Sequence, residues 1–319
     1  MKIFLFLIII FASSVENIFT QSIKKEMQLG GDESDFIFQV SSIALDGEGN
    51  IYIADKLNFS ILKFGENGVF KKLYKGIRGQ GPGEFSFELD LIRIVNDKLY
   101  ITQKLTPDIL VFDKELTYQK KLKFGYQILD IGVIQNRIFV LSPDSISNIP
   151  LLFLNDQGEF DNKYEKKPVE RHQSYWEQYK SIAFDKNGSF VIASMYEDKI
   201  EKWNSLTQRA WSKQFLKGQQ IVYFNKGPRK GFPNVKECFC YRDIAQDTKG
   251  NIYVLGGSQS KNPLRDIYVI SQSGNLKFVF TLPDDTHFLF IDHNNKLYSR
   301  GPEGGICRYE IKIDDKSLN

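Results

Sequence analysis

One short pattern recurs along this chain, and it restricts the available folds more than any other feature. Residues 43–55 read IALDGEGNIYIAD, residues 244–256 read IAQDTKGNIYVLG, and residues 182–194 read IAFDKNGSFVIAS. Each copy is an apolar run, an Asp, a turn closed by Gly, and a second apolar run rich in β-branched and aromatic residues. That order predicts two antiparallel strands joined by a tight reversal. Asp46, Asp185 and Asp247 can accept backbone N–H groups across the turn, and Gly49, Gly188 and Gly250 can supply its positive φ. Weaker copies lie at 92–101, 131–140 and 290–299, where Asn and Asp stand in for Gly. Asn tolerates the same left-handed region.

The register residue of the second strand is Tyr52, Tyr100, Phe139, Val191, Tyr253 and Tyr298 in turn. Its spacing of roughly 40–60 residues is that of a four-stranded propeller blade with a variable loop. A third apolar strand and a further turn follow most copies. The expected fold is therefore all-β: a six-bladed β-propeller of four-stranded antiparallel blades. The last copy runs out after three strands, while 23–29 (IKKEMQL) precedes the first copy with no partner of its own. The N-terminal strand 23–29 is expected to join the C-terminal blade and close the ring, because an open ring leaves strand edges unpaired.

Ahead of that strand, Met1 and Lys2 precede an apolar run at 3–12, then Ala12, Ser13 and Ser14. This is the layout of a signal peptide, with cleavage between 14 and 22. The run is too short for a membrane-spanning helix, which needs ~20 residues. The chain divides into a signal peptide at 1–22 and a single propeller domain at 23–319. The mature protein is expected to be exported, whether periplasmic, outer-surface or secreted, monomeric and without a transmembrane anchor. Basic and acidic residues number 42 and 39, a net charge of +3, which marks no nucleic-acid partner. Cys238, Cys240 and Cys307 are too few for a disulfide framework; one bridge to Cys307 or buried thiols are both open.

Residues 76–85 read GIRGQGPGEF, between the first two copies. This run, with Asp46, Gly49, Asn50, Ile51, Tyr52, Ile53, Ala54 and Asp55, resembles the signature of NHL-repeat propellers. The chain looks like a divergent exported bacterial member of that type. The resemblance implies one long-loop face around a channel mouth.

In such a ring the longer loops, 76–87, 142–150, 163–179, 217–236, 256–265 and 300–305, fall on one face, where binding sites gather. Candidate ligand-binding residues are Arg78 and Gln80 on the first loop; Arg171, His172, Tyr175 and Trp176, whose rings and polar groups suit a glycan or peptide; and Arg229 and Lys230 on a basic loop. His172, His287 and His293 are not spaced to share a zinc ion. No phosphate loop or nucleophile elbow is present. The leading expectation is a scaffold that binds a protein, peptide or glycan, without catalysis or cofactor. The alternative is a hydrolase or lyase of the lactonase or amidating-lyase kind, with one cation in the channel.

Overall fold

In the computed structural model the structure describes residues 22–31, 38–123, 128, 130–134, 137–141, 151–154, 180–185, 188–195, 197–205, 208–216, 223–224, 234–235, 240–256 and 265–312. The fold is all-β. After β1 (Ser22–Leu29) come β2 (Val40–Leu45), β3 (Ile51–Asp55), β4 (Ser60–Phe64) and β5 (Phe70–Lys75), which form a meander in that order. The next is β6 (Leu89–Val95), β7 (Lys98–Gln103), β8 (Asp108–Asp113) and β9 (Tyr118–Lys123). A three-stranded sheet follows: β10 (Asp130–Ile134), β11 (Arg137–Leu141) and β12 (Leu151–Leu154). Then come β13 (Lys180–Phe184), β14 (Phe190–Ser194), β15 (Ile200–Ser205) and β16 (Gln208–Lys213). A small ribbon, β17 (Tyr223–Phe224) with β18 (Asn234–Val235), precedes β19 (Tyr241–Gln246), β20 (Ile252–Gly256), β21 (Asp266–Ile270) and β22 (Leu276–Thr281). The last sheet orders β1, β25 (Ile306–Lys312), β24 (Leu297–Arg300) and β23 (Leu289–Ile291).

The architecture is a β-propeller with four-stranded antiparallel blades. Five sheets have four strands; the sheet at β10–β12 has three among the described residues, so the expected uniform set of six is met at five places. The 155–179 segment lies outside the described residues, as does the signal-like segment at 1–21. The strand expected at 23–29 is observed as β1, antiparallel to β25 from Ser22↔Lys312 to Leu29↔Ile306. Cys240 and Cys307 are buried thiols rather than the two ends of one bridge.

The recurring Asp is a turn-builder. Asp46 Oδ1 accepts the N–H groups of Glu48 (3.0 Å) and Asn50 (2.9 Å), while Oδ2 accepts Asn50 Nδ2 (2.8 Å) and the Tyr52 hydroxyl (3.0 Å). Burial works against the Asp46 charge, but these bonds outweigh it and hold the carboxyl below its usual range. Asp247 and Asp292 repeat the arrangement, down to the hydroxyls of Tyr253 and Tyr298. Gly49 closes the first turn at φ 79°; in the weaker copies Asn96 (47°), Asp97 (60°) and Asn295 (59°) take the left-handed conformation instead. The repeat is thus a conserved geometry with interchangeable turn residues.

Neighbouring sheets pack face to face. Ala44, Tyr52 and Ile61 meet Leu89, Leu99 and Phe112 between the first two. Ile43, Ile53 and Phe64 meet Phe288, Tyr298 and Ile306 between the first and last. Phe139 meets Phe184 at 4.0 Å between the third and fourth. A fully buried side chain of this size contributes ~1.5–3 kcal/mol. The Gly-rich run at 76–85 serves the same packing. Phe85 is fully buried between Tyr74 (5.9 Å) and Phe112 (6.3 Å), and a Cβ on Gly76 would lie 2.0 Å from its ring. Gly81 N–H donates to Glu84 Oε2 (2.7 Å), folding the loop over its own side chain.

Candidate functional site

One cavity of about 630 Å³ is lined from β2, β6, β10, β13, β19 and β23, the strand that opens each of the five meanders together with the terminal strand β23 of the last sheet. Three layers of side chains can be followed down this wall. In the middle layer Ser42, Asp130, Ser181 and Asp243 hold equivalent places, paired with Ala54, Leu141, Ala193 and Leu255. Each is followed by an Ile that turns into the packing between sheets, which alternation requires. One layer deeper stand Ala44, Gly132, Ala183 and Ala245, opposite Tyr52, Phe139, Val191 and Tyr253. Small residues are needed there: a Cβ on Gly132 would fall 2.1 Å from the Phe139 ring. The second sheet departs from this rule by placing Arg93 in that layer, opposite Tyr100.

Arg93 spends its guanidinium on its neighbours. Nη2 lies 2.8 Å from Asp130 Oδ1, and Nη1 donates to Ser42 Oγ (3.0 Å) and to the Ile92 carbonyl (3.1 Å). One cation on β6 therefore ties β2 to β10. Across the cavity Asp243 does the same with the opposite charge. It accepts the Ser181 hydroxyl (2.6 Å) from β13, its neighbour Ile244 N–H (2.9 Å), and the Leu289 N–H (2.8 Å) from β23. Burial raises the Asp130 carboxyl to about 6, with Arg93 opposing and Asp243 adding to the rise. Burial likewise lifts Asp243, against the bonds from Ser181 and Leu289.

The outer layer forms the mouth. Register shifts fall between Val40 and Ser42, between Leu89 and Ile92, and between Tyr241 and Asp243. A bulge inserts one residue and re-aims its side chain. Those shifts and the start of β23 set Ser41, Asp90, Arg242 and His287 around the opening. Asp90 is raised by burial against the pull of Lys104, Arg242, Arg93 and Lys56. His287 is pushed down to about 4, first by burial and then by Arg242, Arg300 and Lys56. With that value the imidazole is neutral at physiological pH.

The architecture now has comparisons to stand beside it. No known family profile matches the chain, and no curated protein matches it by sequence. Solved structures do. The chain is similar to a protein of Bacteroides fragilis provisionally named as exported (TM-score 0.66, 11% identity, covering 94% of this chain and 98% of that one). It is similar to a DUF4221 family member of Bacteroides vulgatus (0.60, 12%, 92% and 99%) and to virginiamycin B lyase of Staphylococcus aureus (0.52, 13%, 92% and 89%). The shared feature is the β-propeller. At such identities the likeness reaches the fold alone, and a lyase stands among these structures beside a protein named only for export.

Of the residues singled out in the sequence, Arg78 and Gln80 are exposed on the 76–87 loop and do not line the cavity. The Arg78 guanidinium lies 5.0 Å from the Phe59 ring centroid, and the Gln80 carbonyl accepts Lys121 Nζ (3.2 Å). Arg171, His172, Tyr175, Trp176, Arg229 and Lys230 lie outside the described residues. His287 and His293 are at opposite ends of the wall, the first at this mouth and the second beside a smaller cavity of about 350 Å³ at the far side. The sequence reading missed Asp90, Arg93, Asp130, Arg242 and Asp243. Their signal was a charged residue within or at the start of a first strand, at places where the strongest copy has Ser or Ala.

Proposed function

We propose that the chain is an exported six-bladed propeller, closed by β1, whose long-loop face binds a protein, peptide or glycan at the mouth of the central cavity. The carrying observation is that cavity: six strands wall it, and its deepest charges, Arg93, Asp130 and Asp243, are already committed to one another and to the wall. Groups so engaged suit a rigid wall beneath a binding mouth better than a reacting centre, which needs a group poised toward substrate. The pairing of β1 with β25 and the packing of the first sheet on the last support closure. The signal-like segment and the similarity to a protein named as exported support export. The turn and loop signature supports the NHL-like relationship.

A second reading, a metal-dependent hydrolase or lyase, draws on Asp90 and His287, which open into the same cavity. Among the described residues no three His, Cys, Asp or Glu side chains are grouped to hold a metal ion. One experiment separates the two. Glycan and peptide arrays probed with the mature protein should give hits that Ser41→Trp, which fills the mouth, abolishes. Hits that survive Ser41→Trp would move the site off the cavity. Turnover of a lactone or lyase substrate that rises with added divalent cation would replace the scaffold with the enzyme.

A further inference from the structure

We infer that the loops of the first two sheets at the mouth end form a peripheral docking surface for a membrane bearing anionic lipid headgroups. The inference stands apart from what the cavity binds. In an antiparallel meander the links β3–β4 and β7–β8 and the crossing from β5 to β6 lie at one end, where β6 begins and sets Asp90 at the cavity. On these three links four large apolar side chains stand in solvent: Leu57 (48% exposed), Ile77 (69%), Phe87 (42%) and Leu105 (86%). At the opposite end of the same two sheets the turns carry one such side chain among the described residues, Val69 (59%), while Leu116 is buried.

Short bonds hold the three links against one another. Gly76 N–H donates to the Phe59 carbonyl (2.9 Å), and the Arg78 guanidinium lies 5.0 Å from the Phe59 ring centroid. Phe87 N–H donates to Gln103 Oε1 (3.0 Å), Lys104 N–H to the Glu88 carbonyl (2.9 Å), and Lys104 Nζ lies 2.8 Å from Glu88 Oε2. Each exposed apolar residue is within two positions of one of these contacts, so the four are carried on one connected rim. Leu105 has a φ of 60°, a left-handed conformation that crowds its Cβ and that Gly or Asn takes more readily. The fold gains nothing from a leucine that is strained there and almost wholly in solvent. Exposed apolar side chains gathered in this way mark an interaction site.

The sequence around these residues names the occupant. Three of the four stand directly beside a cation: Lys56-Leu57, Ile77-Arg78 and Lys104-Leu105. The fourth, Phe87, precedes Glu88, whose charge Lys104 takes up, and Glu84 is folded onto the Gly81 N–H. Lys56, Lys75, Arg78 and Lys104 thus outnumber the acidic residues of the three links, and both acids are engaged within the loops. An apolar side chain that enters the acyl boundary, with a Lys or Arg at headgroup level, is the pattern of an interfacial anchor. Protein interfaces are instead depleted in Lys and gather their apolar groups into a packed core. Ile77 and Leu105 have little of the chain around them.

The test is flotation of the mature protein with vesicles of phosphatidylcholine alone and of phosphatidylcholine mixed with phosphatidylglycerol. The protein should float with the mixed vesicles and far less with the neutral ones, and its binding should fall as salt is raised. Leu105→Asn, which relaxes the left-handed turn, should weaken binding about tenfold while the melting temperature holds or rises. Ile77→Ser should weaken it by a similar factor. Arg78→Gln should cost about fivefold, the effect of one cation near an anionic surface. Val69→Ser, at the far end, should leave binding unchanged. Failure to float, an equal loss in Val69→Ser, or undiminished binding in both Leu105→Asn and Ile77→Ser would overturn the surface. So would flotation indifferent to lipid charge and to salt. A protein that ignores vesicles but forms a dimer that Leu105→Asn dissolves would also overturn it, and would give the patch to a second copy of the chain.

Discussion

The two halves of the cavity wall solve one problem with opposite charges. Three wall strands must be held side by side across gaps that their own ladders do not bridge, since each ladder stays within its sheet. In the half built from β2, β6 and β10 the tie is the Arg93 guanidinium, which reaches only side chains and its neighbour's carbonyl. In the half built from β13, β19 and β23 the tie is the Asp243 carboxylate, which takes two backbone N–H groups as well as the Ser181 hydroxyl. A side chain that loses its partner can rotate; a buried backbone N–H cannot leave its strand. The two clasps look alike, but the Asp243 half is the less replaceable.

The largest expected effect is therefore at Asp243. Asp243→Ala strands the Leu289 and Ile244 N–H groups and the Ser181 hydroxyl, at ~1–3 kcal/mol for each buried group left unsatisfied. Chemical denaturation should show a loss of about 3 kcal/mol or more, with Asp243→Asn milder because the amide oxygen still accepts. Equal stability of Asp243→Ala and the native chain would break the comparison outright.

Removal of Arg93 should cost less and depend on pH. Arg93→Met leaves Asp130 buried without its cation, and cutting one partner from a fully buried pair costs ~3–5 kcal/mol. The Arg93 side chain is 29% exposed, which screens the pair and brings the expected loss at pH 8 to about 2 kcal/mol. The sign of the pH dependence follows from Asp130. Its folded pKa is raised from 3.8 to about 6, so the native state binds more protons than the unfolded chain between those values. That group's contribution to stability rises as pH falls from about 6 to about 4, by up to ~1.4 kcal/mol per unit. Without Arg93, which holds this pKa down, the window should widen upward, and Arg93→Met should recover most of its loss at pH 5. The double variant Arg93→Met/Asp130→Leu should lie near the native chain at pH 8. A loss in the double variant equal to the sum of the single losses would show that the pair is not a unit.

How far all this was legible from the sequence differs between wall and blade. The blade was legible because its signal is periodic: Asp46, Asp185 and Asp247 mark the same turn in three copies, to which the structure adds Asp292, and the Tyr at 52, 253 and 298 seals it through its hydroxyl. The wall was legible only in part. Ser42, Ser181 and Asp243 stand at one register, which the alignment of copies exposes, but nothing in one strand tells that Arg93 lies a layer deeper and reaches across to two others. That is a property of six strands converging, and it needs the third dimension. The 76–85 signature pointed to the right loop for a different reason, since its glycines make room for Phe85 rather than for a ligand.

The smallest effects sharpen the comparison most, because they remove the same hydroxyl from each half. Ser181→Ala takes a 2.6 Å donor from a buried carboxylate that retains two N–H bonds. Hydrogen bonds to charged groups contribute ~1.5–3 kcal/mol, and with two bonds surviving the expected loss is about 1.5 kcal/mol. Ser42→Ala takes an acceptor from Arg93, whose Nη1 keeps the Ile92 carbonyl and whose Nη2 keeps Asp130. Its expected loss is about 0.5 kcal/mol, near the lower limit for a net hydrogen bond. Both serines are buried, so the contrast is not one of exposure. Urea midpoints at unchanged m-value would measure it, and a larger loss at Ser42 than at Ser181 would reverse the ranking of the two halves, since it would make the side-chain clasp the one the fold depends on.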